Sequence, residues 1–133
     1  CIRDSPSAQR YEFGTRAQAV FGGFAEALQY MKELGWERIY ARVEMLSEKA
    51  IELINASMKL KLVSPYLQQH RSGLLVLRLP KGSDVPAIYS QLHQNDGILV
   101  SSLPNPRDIR ICVHFFNTKL ELEQLIARIE SYV

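Results

Sequence analysis

The stretch Asp108–Phe115, with the sequence DIRICVHF, is the part of the chain that decides the fold. Apolar and polar residues alternate along it, as they do in a strand whose two faces meet different surroundings. The apolar side comprises Ile109, Ile111 and Val113. The polar side comprises Arg110, Cys112 and His114. This alternation is typical of an antiparallel strand that covers a core with one face.

The segments on either side of this strand predict further strands and helices. Downstream, Thr118 and Glu121 have the spacing of a capping box, which predicts a last helix that begins there. Upstream, Asp84 and Pro86 mark a helix start, and Gly97 marks the end of that helix. Short apolar runs predict three more strands. They cover residues 60–63, 73–79 and 98–100.

The amino-terminal part of the chain has helical periodicity. One predicted helix covers residues 15–34 and is followed by Gly35, and a second covers residues 36–56. The fold class is therefore α+β, with a small, four-stranded, mostly antiparallel sheet and helices on one face. The first helix fits this layout least well. We expect it to come from a preceding, larger domain, which gives boundaries of 1–35 and 36–133.

Composition narrows the range of functions. The chain has 133 residues and a net charge of +2 without a basic cluster, which argues against nucleic acid as a partner. It contains no apolar run long enough for a transmembrane helix and no apolar signal core at its start, so we expect a cytoplasmic protein without membrane contact. The three histidines are scattered and no metal-binding motif occurs, so no metal site is expected.

Two residues of the deciding strand could carry chemistry. Cys112 has Arg110 and His114 on its own side, and a nearby cation lowers the pKa of a thiol. A cysteine in an apolar pattern is more often simply buried, and that structural role is favoured. The guanidinium of Arg110 suits bidentate binding of a carboxylate. Periodicity alone favours an arginine that faces water, and both interpretations of Arg110 remain open.

A third candidate lies near the amino terminus. Gly14 and Thr15 run directly into the predicted helix, and backbone N–H groups at a helix start can bind an anion. A threonine that only caps the helix explains the same pattern.

Three stretches, in order, resemble the class V aminotransferase family. Residues 10–15 (RYEFGT) resemble its Arg-x-Glu-x-Gly-Thr motif. Residues 27–39 resemble its junction between the large domain and the long helix of the small domain. Residues 109–118 (IRICVHFFNT) resemble its arginine-bearing strand, followed by Tyr-Asn-Thr and the final helix. The resemblance covers essentially the whole chain.

The resemblance implies a fold type I enzyme that uses pyridoxal 5′-phosphate (PLP), normally a homodimer with its active site between subunits. It implies that Gly14 and Thr15 contact the cofactor phosphate, usually that of the neighbouring subunit. It also implies that Arg110 binds the α-carboxylate of an amino-acid substrate. Residues 36–133 would then be the carboxyl-terminal small domain, and residues 1–35 a remnant of the large PLP-binding domain with the linking helix. The amino-terminal large domain of the same enzyme would be the partner of the chain.

Two departures from the family pattern shape the expectation. The Ser-x-His-Lys-type segment with the lysine that carries PLP is absent, so we expect no catalytic residue in this chain and no PLP binding by the chain alone. Residues 100–106 contain no cysteine, which favours the isopenicillin N epimerase-like, C–S lyase-like or plain aminotransferase branches over the cysteine desulfurase-like branch. Alternatives are a non-catalytic binding module and a separately encoded half of a split PLP enzyme.

Overall fold

The computed structural model describes residues 6–11 and 17–133, and the chain divides into two compact units, Cys1–Trp36 and Glu37–Val133. The first unit contains a short 3-10 helix (Ala8–Tyr11) and α1 (Gln18–Leu34). α1 ends at Gly35, whose φ of 88° suits a residue without a side chain. The Gly35 N–H donates to the carbonyls of Met31 and Lys32 and so closes the last turn.

The second unit is built from three long helices and four short strands. The predicted α+β class is confirmed, because the strands form one antiparallel sheet in the order β1-β2-β4-β3. A 3-10 turn (Gln68–His70) lies between β1 and β2. The elements are α2 (Trp36–Ala56), β1 (Lys61–Leu62), β2 (Leu74–Arg78), α3 (Val85–Asp96), β3 (Ser101–Ser102), β4 (Asp108–Cys112) and α4 (Lys119–Tyr132).

One hydrophobic core joins the three helices to one face of the sheet. The helices contribute aliphatic side chains at helical spacing, and β2 and β4 contribute every second residue. Its most buried large side chains are Leu46, Ile54, Leu75, Leu77, Leu79, Leu92, Ile109 and Ile129. The predicted arrangement of helices on one face is thus present.

The opposite side of the sheet is called the open face below. It carries the alternate residues of the two central strands and Ser101 of β3, which is paired with Arg110. Leu74, at one end of β2, is 52% exposed, whereas Leu75 and Leu77 of the same strand are fully buried. The open face comprises Leu74, Val76, Arg78, Ser101, Asp108, Arg110 and Cys112.

The helix ends follow the local signals in the sequence. Asp84 accepts a hydrogen bond from the Ala87 N–H at the start of α3, and Gly97 ends that helix with a left-handed φ of 67°. Thr118 and Glu121 form the predicted capping box at the start of α4. These signals are confirmed because each depends on residues within a few positions of one another.

Three predictions about the strands are corrected. Residues 98–100 do not form a strand; β3 lies at Ser101–Ser102, because Ile98 and Val100 pack against the core while only the next two residues pair with β4. β4 ends at Cys112 rather than Phe115, where the chain turns toward α4. Cys112 is exposed and not buried, since the alternation of β4 places it on the open face.

Gly73, just before β2, provides a sharp test of packing. A Cβ atom at this position would collide with the carbonyl oxygen of Val113 and would lie 3.1 Å from Cγ1 of Val43. We expect Gly73→Ala to lower the free energy of unfolding by about 1–3 kcal/mol, as overpacking does. Urea denaturation measures the loss. Gly23→Ala is the control, because its added Cβ has no atom within 4 Å; equal stability of the two variants would contradict the packing described here.

Glu121 should make stability depend on pH. Its Oε2 accepts hydrogen bonds from the Thr118 N–H at 2.8 Å and from Asn117 Nδ2 at 3.3 Å, and these bonds hold the pKa of Glu121 below its ordinary value. A carboxylate with a lowered pKa in the folded state stabilises the protein above its unfolded-state pKa. That contribution is lost as the pH falls through the folded-state pKa.

We therefore expect Glu121→Gln to be less stable than the wild type at neutral pH, with a difference that shrinks as the solution becomes acidic. Thermal unfolding at a series of pH values measures it. A difference between the two proteins that stays constant into the acid range would contradict the assigned role of the ionised carboxylate.

Among the described residues, no helix is long and apolar enough to span a membrane.

Candidate functional site

Arg110 lies at the centre of the open face. The sheet register places it beside Val76 of β2 and Ser101 of β3. One terminal nitrogen, Nη2, donates to Oγ of Ser101 at 3.1 Å. The Nε atom is buried and has no hydrogen-bond partner among the described residues. The arginine is therefore anchored at one nitrogen while another donor is removed from water and unsatisfied.

The unsatisfied donor distinguishes Arg110 from an arginine that simply faces water. Buried polar groups are normally hydrogen-bonded, and leaving one unpaired costs about 1–3 kcal/mol. Within residues 6–11 and 17–133, no carboxylate forms an ion pair with Arg110. A planar guanidinium with a free donor is suited to an external carboxylate or phosphate.

A second arginine on the same face is fully occupied. Arg78 Nε donates to Oδ1 of Asp108 at 2.6 Å, and Nη2 donates to Oδ2 at 2.8 Å. The Asp108 side chain is only 7% exposed. The hydrogen bonds from Arg78 hold the pKa of Asp108 below its ordinary value, and the carboxylate raises the pKa of Arg78. The open face thus carries one satisfied guanidinium and one with an unused donor.

The turn from β4 to α4 is held by Asn117. Its Oδ1 accepts from the His114 N–H at 2.8 Å, and its carbonyl accepts from Nη2 of Arg42 at 3.0 Å. The rings of His114 and Phe116 stack with centroids 4.8 Å apart. This network fixes the end of the strand that carries Arg110 to the start of α4.

Cys112 and Arg110 do not form a thiol site in the described part of the chain. No hydrogen bond joins Cys112 to Arg110 or to His114. Cys112 instead lines a cleft of about 350 Å³ between residues 96–100, the end of β4 and the start of α4, and Arg110 is not part of its lining. The side chains share a face, but the structure gives the thiol no activating contact.

The other predicted site residues, Gly14 and Thr15, lie outside the described residues. Within the described part, no group of three or more histidine, cysteine, aspartate or glutamate residues could hold a metal ion. Sequence reasoning missed Ser101, Arg78 and Asp108. The polar residues at the ends of the apolar runs could have indicated them, but only the strand register shows which of them are neighbours.

Comparison with known proteins identifies the family. The family model described as Aminotransferase class-V matches residues 2–126. This chain belongs to the class V aminotransferase family.

One curated protein resembles the chain in sequence. It is isopenicillin N epimerase from Amycolatopsis lactamdurans, 26% identical over 136 residues, an alignment that covers 92% of this chain and 34% of the relative. The chain thus spans about a third of the length of this relative.

Solved structures share the fold. A complex of a cystine C–S lyase with its reaction product cysteine persulfide has a TM-score of 0.81 and 23% identity, and the match covers 96% of this chain and 33% of that one. A variant of the same lyase, with glycine covalently linked to its PLP cofactor, has a TM-score of 0.82, 24% identity and coverages of 94% and 32%. A cysteine desulfurase from Thermococcus onnurineus has a TM-score of 0.78, 18% identity and coverages of 96% and 34%.

Proposed function

We propose that this chain is the carboxyl-terminal part of a PLP-dependent enzyme that acts on an amino acid, and that Arg110 binds the α-carboxylate of the substrate. The observation that carries the proposal is the Nε of Arg110, which is buried and has no partner within residues 6–11 and 17–133. A carboxylate placed there would satisfy that donor. Membership of the class V aminotransferase family supplies the context.

The position of Arg110 suits orientation of a substrate. β4 is a central strand, paired on both sides, so the backbone that carries the guanidinium is held by β2 and β3. The hydrogen bond from Nη2 to Ser101 limits rotation of the guanidinium group. A preorganised donor pair holds a carboxylate in one orientation and thereby positions the rest of the amino acid.

PLP, when bound to the whole enzyme, supplies the electron sink for chemistry at the α-carbon. In this chain, Gly14 and Thr15 would contact its phosphate, normally the phosphate of the neighbouring subunit in a homodimer. The chain carries no Ser-x-His-Lys-type segment, so the lysine that holds PLP would come from elsewhere in the enzyme. Two lysines of the chain have partners within the fold. Lys49 pairs with Glu52 on α2, and Lys59 donates to the carbonyls of Glu130 and Val133 at the end of α4.

The proposed organisation assigns residues 1–35 to the large domain and residues 36–133 to the small domain. In support, the relatives are about three times as long as this chain. α1 presents Val20, Phe21 and Phe24, each more than half exposed, as an apolar surface. Apolar surface of this kind is normally covered by another part of a protein. The rest of the amino-terminal large domain would be that part.

The test of the proposed function removes the carboxylate from the ligand and leaves the protein intact. The whole enzyme is given its best amino-acid substrate and the matched amine that lacks only the α-carboxylate. We expect kcat/KM to be about 10²- to 10³-fold lower for the amine, because one partner of a desolvated charge pair is missing. Similar kcat/KM for both compounds would contradict the proposal.

A second candidate follows from the missing lysine segment. The chain would then be a non-catalytic binding module, or one half of a split enzyme that assembles with a separately encoded large-domain subunit. The nucleotide sequence upstream of the codon for Cys1 separates these candidates. A continuous reading frame with the lysine segment favours the single-chain enzyme, whereas a start codon directly before Cys1 favours the module or the split form.

A further inference from the structure

Arg110 has an acidic neighbour on its own strand. Asp108 and Arg110 are two residues apart on β4 and therefore lie on the same face, separated along the strand by about 6.6 Å. Their cross-strand neighbours on β2 are Arg78 and Val76. An aspartate at this spacing could pair with Arg110 and accept from the same guanidinium N–H groups that an external carboxylate would need.

Asp108 is paired with Arg78 in the structure. Arg78 donates one N–H to each oxygen of the Asp108 carboxylate, at 2.6 and 2.8 Å. The carboxylate is almost completely removed from water, so it needs a cationic partner. Both carboxylate oxygens of Asp108 thus accept from Arg78, while Nε of Arg110 has no hydrogen-bond partner in the part of the chain that the structure describes.

We propose that Arg78 is a positioning residue, which holds Asp108 away from Arg110 and so leaves Arg110 free to bind the substrate carboxylate. This inference rests on the carboxylate-binding role proposed above for Arg110. Arg78 itself touches no substrate and acts through Asp108. Its removal converts Asp108 from a satisfied group into an internal competitor.

Two other cations could replace Arg78 and must be considered. Lys61 is the β1 neighbour of Arg78, so it lies two strands from Asp108, roughly 10 Å between backbones. Arg107 lies in the turn before β4, and its charge adds to the effect of Arg78 in lowering the pKa of Asp108. Within the described residues, no hydrogen bond or ion pair joins the Arg107 and Asp108 side chains. Arg110 is the cation that shares both the strand and the face of Asp108.

The first experiment uses this chain without any substrate. Nitrogen-15 NMR follows the Nε–H resonance of Arg110, assigned by its loss in Arg110→Lys. In Arg78→Met, we expect this resonance to shift and its hydrogen exchange to slow, because Asp108 becomes its partner. In the double variant Arg78→Met/Asp108→Asn, we expect the chemical shift and the hydrogen-exchange rate to return to the wild-type values. Arg107→Met is the matched control, because it removes a positive charge near Asp108 but leaves the two Arg78–Asp108 hydrogen bonds in place, so the Arg110 resonance should stay unchanged.

An Arg110 resonance that is the same in Arg78→Met and in the wild type would overturn the proposal, because Asp108 would then have found another partner. The proposal would also be overturned if adding Asp108→Asn failed to reverse the changes in resonance and hydrogen exchange seen in Arg78→Met. A merely structural effect of losing Arg78 would lower the melting temperature without this reversal.

The second experiment measures kinetics in the whole enzyme. In Arg78→Met, we expect KM for the amino acid to rise roughly 10- to 100-fold, as for the loss of a charge-assisted hydrogen bond, while kcat stays unchanged because saturating substrate displaces Asp108. The double variant should recover KM. An unchanged KM in Arg78→Met would overturn the proposal. If Arg110→Ala also leaves KM unchanged, the proposed function fails, whereas the NMR result on the Asp108–Arg110 pairing stands separately.

Discussion

Arg110→Ala is expected to lower kcat/KM for the amino-acid substrate of the whole enzyme about 10²- to 10³-fold. Truncating one partner of a desolvated, hydrogen-bonded charge pair costs about 2–5 kcal/mol, and part of that cost is the carboxylate left without a partner. Steady-state kinetics with the wild type and the variant measure the effect. Because the proposed role of Arg110 includes orienting the substrate, we expect kcat to fall together with the apparent affinity.

The control variant is Arg110→Lys, which keeps the charge but loses the planar fork. It should recover only part of the activity, since an ammonium cannot form the two parallel hydrogen bonds of a guanidinium. The matched amine without an α-carboxylate should be turned over equally by the wild type and Arg110→Ala. Unchanged kinetics of the amino acid in Arg110→Ala would remove Arg110 from the proposed role.

The second large effect is expected at Leu77 in β2. Its side chain is fully buried between the sheet and the helices. Leu77→Ala should lower the free energy of unfolding by about 2–5 kcal/mol, because it loses buried apolar surface and leaves a cavity. Urea denaturation of this chain, monitored by circular dichroism, measures the change.

Leu74→Ala is the matched control, with the same residue type in the same strand but on the open face. Leu74 is 52% exposed, so we expect its truncation to change stability by less than about 1 kcal/mol. Equal losses in Leu77→Ala and Leu74→Ala would contradict the assignment of the two sheet faces.

Local features of the fold could be predicted from the sequence. The capping box of Thr118 and Glu121 and the Asp84 cap of α3 involve residues three positions apart, so their chemistry is visible in a short window. α2 was predicted over residues 36–56, and its bounds are Trp36–Ala56. The alternation in β4 also predicted which side chains face the core.

Features that depend on pairing between distant strands could not be predicted in the same way. The strand expected at residues 98–100 lies instead at Ser101–Ser102, because the register with β4 selects which residues pair. Cys112 was expected to be buried because cysteine residues usually are, but its position on the strand exposes it.

In the candidate site, too, one residue could be predicted from the sequence and its neighbours could not. Arg110 was found from alternation and from the family motif, both of which are read along the chain. Its neighbours Ser101, Arg78 and Asp108 could not be found in this way, because they become neighbours only through cross-strand register. The sequence therefore indicated Arg110 as a candidate, and the structure shows that Ser101 anchors it and that the Arg78–Asp108 pair lies on the same face.

The most direct test of the central claim is a crystal structure of the whole enzyme with an amino acid in its active site. We predict that the α-carboxylate oxygens lie about 2.7–2.9 Å from the guanidinium nitrogens of Arg110, with Nε among the donors, while Ser101 still accepts from Nη2. An amino acid whose carboxylate is bound by another residue, with Nε of Arg110 still unpaired, would contradict the account.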